Sequence, residues 1–600
     1  MKMKNKMENK KSRHCALPAL LAVASSLPLA AHGVGFGSAE GLHGYFDTTL
    51  SYGASWRLQE RSPALVGVSN GGVGSSNGDD GNLNYEQGKL IASLLKSTHE
   101  LDLNYGPLGF FSRAYLFHDF ENANRRGPGP VVAGNEGSGY AFGPQANKRI
   151  GRGHKLLDAY LKTSFELLEG KSTQLRLGSQ VVSWGEGTFI PGGINAINPI
   201  DLTRLRTPGS EIKEALLPTS MLWVSQQLAH NVSAEAFTLG KFNKTLLEPR
   251  GAFFSTTDLV SDDGGRLYLG GPDQHFPAVP GASRWIDRAG DRNARDSGEY
   301  GLALRILAPA LNNTEFGLYY INYHHRTPII SARRGGLNVA GVPVPINAPT
   351  STPTTGAANL FVEYPQSVRL YGLSFNTTGP WGTALQGEYS YRNNQPLQLA
   401  VGEVTNAALG LRNSLTGDNA AANAVAVGTE ISGYRRVKMQ QLQLGITKSL
   451  SATLGADQVV LIAEAGYTRL DLPAGVYFGG YGETAPAGSF GAPASGAGQG
   501  FATRGSWGYT LNASADYNNA IGPVRLSPRA SLSHAVRGVS PTWNQGVKSA
   551  GVGLAATYKE QWRIDIGYTA FFGGRIFNTT LDTNSVRDRN FIAASISWAL

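Results

Sequence analysis

The sequence predicts an all-β chain: an antiparallel transmembrane β-barrel of about 18 strands, with 16 also compatible. Three observations predict it. Apolar and polar residues alternate with period two through many strand-length segments. Tight turns and long connections follow each other in a regular rhythm. The composition is poor in charge (16%, against about 25% in an ordinary soluble protein), rich in glycine (76 residues) and rich in aromatics (10%). Strands that face lipid and many glycine turns account for all three features.

The N-terminus carries Lys2, Lys4, Lys6, Lys10, Lys11 and Arg13, then the apolar stretch CALPALLAVASSLPLAA from Cys15 to Ala31. This reads as a signal peptide over residues 1–31, too short and too proline-interrupted to span a bilayer as a helix. Without it the formal charge of +9 falls to about +4, so the basic balance does not point to nucleic acid. It also takes away the only cysteine, leaving no disulfide or thiol chemistry. Residues 32–600 are read as one barrel domain. The first strand begins within about a dozen residues, which leaves no room for a globular plug before it.

The first predicted strand is GLHGYFDTTLSYGASWR. Eight hairpins follow, among them THELDLNY–GPLG–FFSRAYLF, VRLYGLSF–NTTGP–WGTALQGEYSY and SWGYTLNASADY–NNAIG–VRLSPRASLS. The last strand is RNFIAASISWAL, with Ile592, Ala594, Ile596, Trp598 and Leu600 on one face. Long connections fall at 58–92, 120–153, 185–218, 242–297, 325–365, 394–433 and 471–501. An unpaired amide in hydrocarbon costs several kcal/mol, so the last strand must pair with the first. Tyr105, Tyr300, Trp381, Trp507, Tyr517, Trp562 and Trp598 suit interfacial girdles. Soluble sandwiches share the alternation but not the rhythm of short turn and long loop.

Alternation places Arg113, Arg176, Arg305, Glu388, Asp516, Arg525, Arg529, Arg563 and Asp565 toward the lumen. Their signs nearly balance, so strong ion selectivity is not expected. The segment 183–218, SWGEGTFIPGGINAINPIDLTRLRTPGSEIKEALLP, differs from the other connections. Asn198–Pro199 is expected to start one short helix, and SEIKEALL to form a second, ended by Pro218. Its isoleucines and leucines are too many for a solvated loop, so it should pack on the inner wall or mouth of the barrel. Trp184, Glu186, Asp201, Arg204, Arg206, Glu211 and Lys213 are the expected constriction or solute contacts.

Asp80, Asn82, Asn84 and Glu86 are spaced like the start of a calcium loop, but Tyr85 replaces the required glycine and the twelfth-position acid is missing. Adjacent His324 and His325 read as structural, and Gly33–Gly37 as a flexible lead-in. No catalytic set emerges from the spacing, and no cofactor is expected.

The opening strand, NGDDGNLNYEQGKL, and above all RLGSQVVSWGEGTFIPGGINAINPIDLTRLRTPGSEIKEALLP resemble the DUF1302 family of Gram-negative outer-membrane proteins, from about residue 36 to Leu600. The resemblance implies a barrel in the cell outer membrane, embedded in lipid and lipopolysaccharide and inserted by the barrel-assembly machinery. It also implies a hydrophobic or lipid-like solute, a periplasmic DUF1329-type protein and an RND-type transporter as partners. It brings no catalytic residues. The expected function is a channel for an amphipathic, hydrophobic or lipid-like molecule. A surface-binding or structural scaffold is the alternative, and a barrel enzyme comes third.

Overall fold

A computed structural model describes residues 33–38, 40–123, 125, 142–270, 284–339, 342–344, 356–480, 500–575 and 583–600. The signal-peptide segment 1–31 lies outside them. Eighteen strands close one antiparallel ring: β1 His43–Arg57, β2 Leu90–Tyr105, β3 Leu108–Asp119, β4 Arg152–Leu168, β5 Lys171–Gln180, β6 Thr219–Ala229, β7 Val232–Leu239, β8 Tyr300–Ala308, β9 Thr314–Tyr323, β10 Val368–Gly379, β11 Thr383–Gln398, β12 Tyr434–Thr453, β13 Ala456–Leu470, β14 Gly505–Ile521, β15 Val524–Arg537, β16 Val547–Tyr558, β17 Trp562–Gly573 and β18 Phe591–Ala599. Each pairs with its sequence neighbour, and β18 seals against β1 from Thr49↔Ala599 to Arg57↔Phe591. No described helix is long and apolar enough to cross a membrane.

The seam is completed in an unexpected way. Val34–Gly37, expected as a flexible lead-in, is a short strand paired with His43–Phe46. It covers the edge of β1 just beyond the point where β18 stops, and Leu600 donates its amide to Thr48 there. A bare edge at that depth would leave ladder groups unpaired, which is what the short strand prevents.

The pleat separates the two faces. Leu222, Leu302, Leu318, Leu373, Leu444, Leu511, Leu554, Ile564 and Ile566 lie exposed on the outside, as a lipid belt requires. Tyr300, Tyr320, Tyr371 and Tyr391 form a row of ring contacts across four neighbouring strands with centroids 6.1, 5.3 and 6.3 Å apart. Trp562 and Trp598 stack at 5.3 Å near the seam.

All eight tight turns lie at one end of the barrel. At the other end the long connections fold rather than dangle. Arg266–Gly270, Arg284–Arg288, Ile329–Arg333, Leu337–Val339, Val342–Val344, Asn359–Glu363 and Glu430–Ile431 form a second sheet. With the helix Val401–Leu409 this sheet encloses its own core, which includes Ile286, Leu360, Leu399, Val404 and Phe478. The helix is closed by Gly410 in the left-handed region, where its amide reaches the Ala407 and Asn406 carbonyls. The core of this sheet continues onto Leu397, Val437, Met439 and Leu470 at the loop ends of β11, β12 and β13, which makes the lobe an outer cap on the barrel mouth.

Candidate functional site

The connection between β5 and β6, residues 181–218, lies inside the barrel and touches roughly opposite walls. Its first half reaches β11, β12 and β13. Glu388 of β11 accepts the amides of Glu186 (2.7 Å), Gly187 (2.9 Å) and Ile194 (2.7 Å). Glu464 of β13 accepts those of Thr188 (3.1 Å), Phe189 (2.6 Å) and Ile190 (3.2 Å). Gln441 and Gln443 of β12 donate to the carbonyls of Pro191 (2.8 Å) and Ile190 (2.9 Å), and Arg392 donates to that of Gly193 (2.6 Å). Two buried carboxylates thus gather six amides of an irregular loop that has no ladder of its own.

The glycines of SWGEG and PGG are explained by this grip. A Cβ on Gly193 would lie 1.8 Å from Glu388 Oε1, and one on Gly185 2.3 Å from Glu388 Oε2. Gly185 also has φ +89°, a region that penalises any other residue. The wall offers glycines in return: Gly301 beneath Trp184, Gly372 beneath Ile194, Gly466 beneath Ile190 and Gly53 beneath Pro208. Trp184, Ile194 and Ile197 are buried there with Phe237, Tyr319, Ile321 and Leu370. At about 2 kcal/mol for each apolar side chain, this burial is a substantial part of what holds the segment inside.

The second half returns to β1, β2 and β18. Lys96 of β2 meets Glu214 at 2.5 Å with both side chains nearly inaccessible, and also donates to the Gly209 carbonyl (2.8 Å). Lys213 bridges Glu100 (2.6 Å) and Glu211 (3.1 Å). Asp201 pairs with Arg149 (3.2 Å) and Lys155 (3.5 Å). Burial tends to raise the Asp201 carboxyl, but Arg149, Lys155 and Arg204 outweigh it and hold it below its usual value. Arg204 lies over Phe117 (4.2 Å) and Tyr115 (5.0 Å), and Arg206 over Phe254 (4.8 Å) with Glu248 at 3.5 Å.

Two expectations change here. No helix begins at Pro199: the chain makes only a 3₁₀ turn, Arg204–Arg206, and one α-turn, Ile212–Ala215. The Asn198 side chain is committed elsewhere, donating to the Val182 carbonyl at 2.5 Å instead of capping. Trp184, Asp201 and Arg204 are buried, so they hold the segment instead of facing a solute. Trp184 donates to Glu235 at 2.7 Å. Glu186, Arg206, Glu211 and Lys213 keep partial exposure.

The expected lumen residues sit in cross-strand ladders. Arg113 joins Glu100 (3.1 Å) and Asp158 (2.8 Å), and Arg305 joins Glu235 (3.1 Å) and Glu315 (3.0 Å). Arg176 lies between Trp223 (4.6 Å) and Tyr160 (5.7 Å). Arg529 and Arg563 share Asp565 at 2.6 and 3.2 Å, Arg525 reaches Glu560 at 2.8 Å, and Asp516 accepts from Ser527 at 2.5 Å. Glu388 differs from the others, being an anchor for the loop. The wall from β14 to β17 stays half-exposed and carries mostly small polar groups, including Thr510, Ser514, Ser531, Ser533 and Ser549.

Alternation also turns Glu464 toward the lumen, but sequence reading did not foresee it, Gln441 or Gln443 as clasps for the loop, and it missed Trp543. Trp543 folds in from the connection 538–546 to pack with Ile190 and Ala535, over Gly508. The four calcium-loop candidates do not form one site either. Asp80 is drawn to Asp79 and Asp258, while Asn82 and Asn84 donate to Leu65 and Gly251. Glu86 stays half-exposed.

A closed ring with an apolar belt and aromatic girdle belongs to the outer membrane of a Gram-negative bacterium, and that is where this chain resides. Solved structures similar to it include Acinetobacter baumannii OccAB1 (9% identity, TM-score 0.40, covering 95% of this chain and 98% of that one). Pseudomonas aeruginosa OpdK with vanillate is similar at 8% identity and TM-score 0.38, over 92% and 98% of the two chains. Pseudomonas aeruginosa OprD is similar at 11% identity and TM-score 0.36, over 95% and 97%. Comparison with curated proteins gives no match. The family model described as "Protein of unknown function (DUF1302)" matches residues 14–600, and the chain belongs to that family.

Proposed function

We propose that this protein is an outer-membrane channel in which the segment 181–218 acts as a diaphragm and the solute passes along the wall of β14–β17. One observation carries the reading: the segment is clasped to β11–β13 and to β1–β2, while the intervening wall keeps its polar side chains half-exposed. That wall holds Arg525, Arg529 and Arg563 against Asp516, Asp565 and Glu560, a balance that disfavours strong discrimination by charge sign.

The solute proposed is amphipathic, hydrophobic or lipid-like. The two-sided lumen supports this: Phe111 and Tyr160 offer aromatic surface beside Arg113 and Arg176, facing a hydroxyl-lined wall. Delivery through a DUF1329-type periplasmic protein and an RND-type transporter fits such a cargo, which crosses water poorly on its own. The folded outer cap favours a second reading, a surface-binding scaffold.

Planar-bilayer conductance separates the two. The channel reading expects discrete conductance in the native protein and larger steps in a variant lacking residues 190–215. If both are silent and cells lacking the protein show normal solute flux, the scaffold reading replaces it.

A further inference from the structure

Outside the lumen, three carboxylates converge where two outer connections meet. Asp79 and Asp80 belong to the connection after β1, and Asp258 to the one after β7. One oxygen from each lies within 4.8 Å of the others, and their exposures are 0%, 1% and 2%. The backbone around them is tightly fitted. Asp258 donates its amide to the Asn77 carbonyl (2.9 Å), and Asn77 pairs with Tyr268 through both its Oδ1 (2.7 Å) and Nδ2 (2.8 Å). A Cβ on Gly81 would lie 2.1 Å from the Ala252 carbonyl oxygen.

Asp79 Oδ2 accepts from the Gly67 amide (2.7 Å) and Asn70 (2.8 Å), and Asp80 Oδ2 accepts from Arg250 (2.6 Å). Asp258 is different. Both of its oxygens are buried, and among the described residues neither accepts a well-formed hydrogen bond, the Asp80 amide being only weak support. Arg589 is near enough to feel its charge but turns toward Asp588 at 3.3 Å, as does Arg57 at 3.1 Å. Among the described contacts, Arg250 bonds to the cluster through Asp80 and Arg589 approaches Asp258 without a bond to it. Asp258 therefore brings two buried, unsatisfied oxygens up against the buried carboxylates of Asp79 and Asp80, so the place calls for a proton or a cation.

We propose that Asp79, Asp80 and Asp258 hold one divalent cation of calcium size, which ties the connection after β1 to that after β7 across the barrel mouth. Hard carboxylate oxygens suit calcium. Oxygens within 4.8 Å of one another can share one ion, and calcium, with bonds of about 2.4 Å and a flexible geometry, tolerates an irregular set, whereas magnesium demands a near-ideal octahedron at about 2.1 Å and keeps its waters, for which so enclosed a place has little room. Affinity should fall in the range of extracellular calcium sites, about 10⁻⁴–10⁻³ M.

The test uses full-length protein in detergent, stripped with chelator and titrated with calcium chloride under equilibrium dialysis, alongside Asp258→Asn and an exposed control, Asp471→Asn. The heat-induced shift between folded and unfolded gel bands is read in parallel. The proposal expects one saturable equivalent in the native protein and in Asp471→Asn. It also expects a calcium-dependent rise of a few degrees in the folded-band midpoint. Asp258→Asn should lose both, and magnesium should substitute poorly. If the native protein takes up no saturable equivalent by about 10 mM calcium, the proposal is wrong. It is equally wrong if Asp258→Asn binds like the native chain, or if that variant is simply more stable with and without calcium, since Asp258 would then be a neutral acid. Should Asp258→Asn fail to fold, Asp79→Asn and the native titration against magnesium decide the same question.

Discussion

Glu388 accepts the amide of Ile194 at 2.7 Å across 194 residues of sequence, and its other oxygen takes the amides of Glu186 and Gly187. A barrel-wall carboxylate is thereby the fixed point of a loop that starts six strands away. Hydrogen bonds to a charged acceptor contribute about 1.5–3 kcal/mol each, and orphaned buried amides add a penalty. Glu388→Ala is therefore expected to undock residues 186–194 and raise single-channel conductance, and Glu388→Ala with Glu464→Ala to raise it further. Unchanged steps in the double variant would show that the loop stays seated without its clasps.

Steric intrusion gives an independent route to the same outcome. Gly193→Ala places a methyl against Glu388, and Gly372→Val fills the socket of Ile194, whose side chain a Cβ would meet at 2.8 Å. Overpacking of this kind costs about 1–3 kcal/mol. Both variants should lower the temperature at which the folded gel band disappears and widen the conductance distribution. Gly35→Ala, where nothing lies within 4 Å, should do neither.

The barrel was legible because its code is local: each strand announces itself by alternation, and each hairpin by its glycine, proline or asparagine turn. Residues such as Leu511 and Asn512 declare opposite faces without reference to anything distant. The diaphragm was half legible. Ile194 and Ile197 signalled burial, but their partners, Gly372, Leu370 and Tyr319 among them, sit on strands whose proximity depends on the ring closing first. The glycines on both sides of that contact look like ordinary turn or strand glycines in sequence. The outer cap was not legible, because its strands run only two to five residues, too short for periodicity to register.

The Lys96–Glu214 pair locks the other end of the diaphragm. Both side chains are almost inaccessible, so removing one charge strands its partner. Lys96→Met should cost about 3–5 kcal/mol of docking or fold stability, whereas Lys96→Met with Glu214→Met should recover much of it. Denaturant-dependent Trp emission or gel-band midpoints would read the cycle, and equal losses in the single and double variants would contradict it.

Acid should loosen the segment through Asp201. Its carboxyl is held below the usual value when docked, so the stability it contributes is complete above about pH 4 and is lost as pH falls through the depressed value. Glu186 has the opposite sign. Burial raises its carboxyl, so its protonation on acidification favours docking. Because Asp201 is bonded to two cations and Glu186 to the neutral Asn376, the Asp201 effect should dominate at the acid extreme. Conductance of the native channel should therefore rise below about pH 4, while Asp201→Asn should start high at neutral pH and change less. A native profile superimposable on that of Asp201→Asn would remove Asp201 from the account.

Charge selectivity should be adjustable at the open wall. Asp565 is shared by Arg529 at 2.6 Å and Arg563 at 3.2 Å, so the native triad presents one net positive charge to anything passing β14–β17. Arg529→Ala with Arg563→Ala leaves Asp565 alone and reverses the local sign, whereas Asp565→Asn leaves two arginines. A unit charge at contact distance in a water-like lumen is worth about 1 kcal/mol, roughly a fivefold change for each ion and in opposite directions for cations and anions. In a salt gradient the reversal potential should move toward cations in the double-arginine variant and toward anions in Asp565→Asn, with both shifts shrinking at high salt as screening sets in. Changing Arg305 instead, which is held by Glu235 and Glu315 close to where Trp184 binds Glu235, should leave the reversal potential nearly fixed. That contrast locates the passage: if Arg305→Ala moves the potential as far as the Arg529 and Arg563 substitutions do, the solute route runs along the opposite wall.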